Sequence, residues 1–121
     1  MSDVTAAVRE LVDTLHFRDS LGQSYLAPAP RLRWALIVPT MMTGSPLERS
    51  RAINNRTVQA AKRLGLITVS DDAVALQYGY RKPGESPNLY AVTLTDAART
   101  ELARGKRDAF KDYALGKDDT P

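Results

Sequence analysis

Four residues, Ser45-Pro46-Leu47-Glu48, are the clearest helix-start pattern in this chain. The Ser45 hydroxyl can accept from the Glu48 amide while the Glu48 side chain reaches back. Pro46 stands at the first helical position, where a missing N–H is harmless. Following the Thr43–Gly44 turn signal, the pattern predicts a helix start. At about 100° per residue, a helix over Pro46–Leu64 puts Leu47, Ile53, Val58, Ala61 and Leu64 in an arc of roughly 160°. The opposite side carries Arg49, Arg51, Asn55, Arg56, Gln59, Lys62 and Arg63, with Glu48 as its one acidic group. Asn54–Asn55 can instead be a tight turn, with Asn55 capping a second short helix at Arg56. Gly65 is placed to end the helix.

The rest of the chain reads around this segment. Ser2 or Asp3 can cap a first helix through His16 or Phe17, with Val4, Val8, Leu11 and Leu15 on one stripe. Residues 18–30, with Gly22, Pro28 and Pro30, read as a loop. Arg31–Thr43 contains Trp34, Leu36, Ile37, Val38, Met41 and Met42 and reads as a helix kinked at Pro39. Trp34 is expected to be a core anchor and the methionines core filler. Leu66–Ser70 reads as a short strand and Asp71–Asp72 as a turn. Val74, Leu76, Tyr78 and Tyr80 alternate with small or polar residues, as in a half-buried strand. Arg81–Asn88 is a loop, and Leu89–Thr95 returns as a strand, making a hairpin with a basic tip. Thr95 can cap a final helix with Ala98 and Leu102 on its apolar side. Gly105 breaks it before Phe110 and Tyr113, and Gly116–Pro121 reads as a frayed tail.

Two stretches resemble known regulators. Arg56-Thr57-Val58-Gln59-Ala60-Ala61-Lys62-Arg63-Leu64-Gly65-Leu66-Ile67 resembles the end of the recognition helix in MarR-, PadR- and GntR-type transcriptional regulators. Tyr90-Ala91-Val92-Thr93-Leu94-Thr95-Asp96-Ala97-Ala98-Arg99 is similar to the segment that closes their wing and opens the next helix. Val58 to Gly65 is about one turn shorter than the family pattern, and its usual glycine is Ala97 or Ala98 here. The resemblance implies an α+β, mostly helical winged helix: helices, a two- to three-stranded antiparallel wing and a C-terminal helix. In that arrangement 1–30 form an N-terminal helix and loop that could serve dimerisation, 31–104 form the winged helix-turn-helix domain, and 105–121 form a helical extension and tail.

Charge points to the same kind of partner. Residues 31–82 hold nine basic and three acidic groups, whereas 1–30 hold two and four, and 83–121 six and seven. A localised basic patch is the footprint of a polyanion-binding surface. Arg49, Arg51, Asn55, Arg56, Gln59, Lys62 and Arg63 combine cations for phosphates with amide side chains for base edges. Asn55, Arg56 and Gln59 are expected on bases, Arg49, Arg51, Lys62 and Arg63 on phosphates, and Arg81 and Lys82 at the wing tip. The expected partner is double-stranded DNA, bound by a transcriptional regulator, with a homodimer as one arrangement. The competing reading is a protein-interaction module, an adaptor or inhibitor from a mobile element; a replication or recombination accessory factor is a third.

Other classes find little support. Apolar residues make up 43% of the chain, but no apolar run approaches the roughly 20 residues of a membrane span. No signal peptide is visible, and cysteine is absent, which fits the cytoplasm and excludes thiolate metal sites. A single histidine, His16, argues against a metal site. Asp71–Asp72 and Asp118–Asp119 lie in a turn and a tail without an apolar frame to tune them. No cofactor, metal or enzymatic activity is expected.

Overall fold

The computed structural model describes residues 4–41, 46–79 and 81–103. Its elements are α1 (Ala6–Asp19), β1 (Ser24–Ala29), β2 (Arg33–Pro39), β3 (Leu47–Asn54), α2 (Asn55–Arg63), β4 (Ile67–Ala75), β5 (Asn88–Leu94) and a helical segment at 96–103, here α3. The strands form one antiparallel sheet in the order β3-β2-β1-β5-β4. Of the described residues 39% are in strands and 33% in helices, so the expected mostly helical winged helix is incorrect.

The largest correction falls on Arg31–Thr43, where β2 replaces the expected helix. Leu36 and Val38 point into a cluster beneath the helices, while Ala35 and Ile37 point into a second cluster on the opposite face. A strand buried on both faces reads as a continuous apolar run, and periodicity cannot separate such a run from a buried helix. Pro39 ends the strand rather than kinking a helix.

The second correction falls on Pro46–Leu64. Leu47–Asn54 pair with β2, from Pro39↔Leu47 to Arg33↔Asn54. Helical structure begins only at Asn55. Leu47 and Ile53 are the only large apolar residues of this strand, and a helix would set them about 120° apart. Pairing with a buried strand satisfies the same backbone groups, and a register shift at Leu36/Ile37 lets both ends of β3 find apolar surroundings. Ser45, on which the capping box depended, lies outside the described residues, as do Met42, Phe110, Tyr113 and Asp118–Asp119.

Residues 24–29, expected in a loop, form β1 at the centre of the sheet. Pro28 is tolerated because β5 pairs only with Ser24–Leu26, and the Pro28 carbonyl accepts from Ser86 N at 2.8 Å. Helix α1 is capped by Thr5, whose hydroxyl accepts from Val8 N at 3.2 Å, and its stripe Val8, Leu11 and Leu15 is buried against the sheet.

The hairpin of β4 and β5 differs from the expected wing. Asp71–Asp72 are no turn: β4 runs through them with a bulge between Val69 and Ala73. Ser70 staples the bulge, donating to Asp72 O at 2.9 Å and accepting from Ala91 N at 3.0 Å. The strand ends at Ala75, leaving Leu76 and Tyr78 in the following loop. That loop lies back over the outer face of the sheet. Gly79 N donates to Leu47 O at 2.9 Å, Tyr78 packs on Ala27, Ala35, Ile37 and Leu89, and Gly84 passes close to Pro30. A Cβ on Gly84 would stand 2.7 Å from Pro30 Cγ.

Candidate nucleic-acid interface

The chain builds its most basic element from a nine-residue helix. In α2, Val58 and Ala61 are buried, while Arg56, Gln59, Lys62 and Arg63 are exposed. The helix ends in a glycine motif: Leu66 N donates to Ala61 O and Gly65 N to Lys62 O, both at 3.0 Å, with Gly65 at φ +73°. This fixes where Lys62 and Arg63 stand, in a last turn whose dipole also favours cations.

At its other end α2 is tied to the β1–β2 turn. Asn55 N donates to Leu32 O at 2.9 Å, and Trp34 Nε1 donates to Asn55 Oδ1 at 2.8 Å. Arg31 and Leu32 hold φ at +64° and +55°, the left-handed region, although neither is glycine. Each such residue costs about 1–2 kcal/mol, and strain of this kind clusters at functional sites. The turn sets Arg31 beside Arg56 along a surface groove with Asn54, Asn55 and Thr57. Trp34, expected in the core, is only half-buried and meets Tyr90 edge-on, ring centroids 6.0 Å apart.

The nine sequence-predicted residues therefore divide. Asn55, Arg56, Gln59, Lys62 and Arg63 do share α2, but Asn55 Oδ1 accepts from Trp34 Nε1 and from Gln59 Nε2, the latter at 3.2 Å. Arg49 and Arg51 lie on β3 instead. Arg51 pairs with Glu10 of α1. Arg49 Nε donates to both Glu85 oxygens, at 3.0 and 2.8 Å, on the opposite face of the sheet. Arg81 and Lys82 lie on the loop over that face, Arg81 beside Leu76, Gln77 and Tyr78 and Lys82 beside Arg49.

Charge pairing separates the β3 arginines from α2. Arg18 meets Glu48 at 3.5 Å, Arg49 and Arg51 are paired as described, and Arg99 reaches Asp19 at 3.3 Å. Among the described residues, Arg31, Arg33, Arg56, Lys62, Arg63, Arg81 and Lys82 make no ion pair. No acidic residue lies between Glu48 and Asp71. Sequence reasoning counted Arg31 and Arg33 in the basic excess but not in the site. Their signal was a pair of arginines flanking one residue after Pro30, which a strand–turn–strand reading would have divided, Arg31 beside α2 and Arg33 on the opposite face.

One titration is perturbed. Burial pushes the Tyr78 phenol above its ordinary value, and the Glu85 carboxylate adds to the shift, against opposing effects of Arg81 and Arg49. His16 is half-buried in α1, and its Nδ1 is without a hydrogen-bond partner. Among the described residues no group of three or more His, Asp or Glu side chains is placed to hold a metal ion. None of their helices is long and apolar enough to cross a membrane. No protein-family model matches the chain, and neither a curated protein nor a solved structure matches it.

Proposed function

We propose that this chain binds double-stranded DNA through the outer face of α2 and the β1–β2 turn. The observation that carries the reading is the set of four cations, Arg31, Arg56, Lys62 and Arg63, without carboxylate partners among the described residues around one short helix. Unpaired cations in a stretch without acids, as 49–70 is, attract phosphates, and each phosphate contact releases condensed counterions. Arg56 and Gln59 supply the two side-chain types that read guanine and adenine edges. Regulation of transcription at the nucleoid, in the cytoplasm, is the role such binding serves.

Fluorescence anisotropy with random and genomic duplexes across a salt series tests this. Binding should weaken steeply with salt, and Lys62→Gln should flatten the log–log slope by about one unit. Arg56→Glu should weaken binding by about 1–3 kcal/mol. Unchanged affinity in Arg56→Glu and in Lys62→Glu/Arg63→Glu would exclude this surface.

A further inference from the structure

On the opposite face, the 81–85 loop leaves a groove of about 330 Å³ against the edge strand β3, lined by Arg33, Arg49, Ser50, Arg51, Lys82 and Glu85 among others. Its charges do not cancel. Glu85, with its side chain only 3% exposed, is satisfied by Arg49 Nε and by Lys82 N at 3.1 Å. Arg51 is answered by Glu10. Arg33 and Lys82 remain as two cations without partners among the described residues. Arg49 uses only Nε on Glu85, and among the described residues its two terminal nitrogens donate to no other group.

We propose that this groove binds a phosphate group, held by Arg33, Arg49, Ser50 and Lys82. Two net positive charges match a phosphate monoester, which carries about −1.5 to −2 near neutral pH. Guanidinium forks and a hydroxyl match its acceptor oxygens. Arg49 is aimed in advance, because the buried carboxylate holds its Nε edge and fixes the plane of the fork. The groove lies on the far side of the sheet from the outer face of α2, so the inference stands without the DNA-binding reading. The same phosphate chemistry could come from a free phosphate ester or from a nucleic-acid backbone.

The test is an NMR titration of the full chain with inorganic phosphate, a nucleoside 5′-monophosphate and a short DNA duplex, against sodium chloride at matched ionic strength. Phosphate should shift the Ser50 and Lys82 amides saturably where chloride does not. Arg33→Gln/Lys82→Gln, checked for an unchanged melting curve, should weaken the effect at least about tenfold, a loss of ~1.4 kcal/mol. Lys62→Glu/Arg63→Glu should leave it intact. Saturation with phosphate or the monophosphate assigns a free ester, and saturation with the duplex alone assigns a backbone phosphate. Absence of saturation with all three, or equal binding by the Arg33→Gln/Lys82→Gln variant, overturns the site.

Discussion

Leu32 holds its backbone at φ +55° while the residue is 82% exposed, so burial returns little for the strained conformation. Its carbonyl is nonetheless held by Asn55 N, which keeps the turn against α2. Leu32→Gly should therefore raise stability by about 1 kcal/mol, the relief of strain less the entropy of glycine, with an unchanged m-value in urea. A loss of stability would show that the conformation is unstrained. Gly65 is the converse. Nothing stands within 4 Å of a Cβ there, so Gly65→Ala suffers only from φ +73° and should lower stability by about 1 kcal/mol. Gly65 was legible in the sequence, and so was Thr95, whose hydroxyl accepts from Ala98 N at 3.2 Å. The stop and the cap each act within a few residues, although the Thr95 hydroxyl also donates to Gly65 O at 2.6 Å. Leu32 was illegible because its conformation is set by a residue 23 positions later.

Among the elements, those whose partners are local could be read and those whose partners are distant could not. The half of α2 that carries Val58 and Ala61 is a helix from its own periodicity and its glycine stop. Leu47–Asn54 has a helical cap signal and helix-compatible residues, yet a buried strand at 33–39 claims it as an edge. The loop after β4 is another such case: it reads as a solvated wing tip, but Arg49 and Glu85 hold it down with side chains 11% and 3% exposed. Glu85→Leu alone strands the Arg49 charge and should cost about 3 kcal/mol or more. Arg49→Met with Glu85→Leu should recover most of that loss in a double-mutant cycle. Additive losses would show that the pair does not hold the loop.

At the scale of the whole molecule, the sheet carries cations on both sides, and on one of them Tyr78 of the overlying loop is half-buried against it. The Tyr78 phenol ionises above its unfolded value of about 10, so at high pH the folded protein keeps a proton that the unfolded chain releases. Its contribution is complete below the unfolded value and is lost as pH rises through the folded one. Tyr78→Phe should accordingly show a shallower fall of Tm with pH above about 10 than the parent chain, and equal slopes would rule Tyr78 out as the cause. The sequence by itself determined the basic excess of the middle segment, the apolar segments that must be covered, the stop at Gly65 and the cap at Thr95, because composition, charge and local backbone chemistry are properties of neighbours. Only the tertiary structure decided that 33–39 and 47–54 are strands, that Arg49 and Arg51 leave the helix for separate carboxylates, and that Arg31 stands beside Arg56. Those outcomes depend on which distant strand satisfies a backbone edge and which buried charge finds a partner, and neither is encoded within the span of one element.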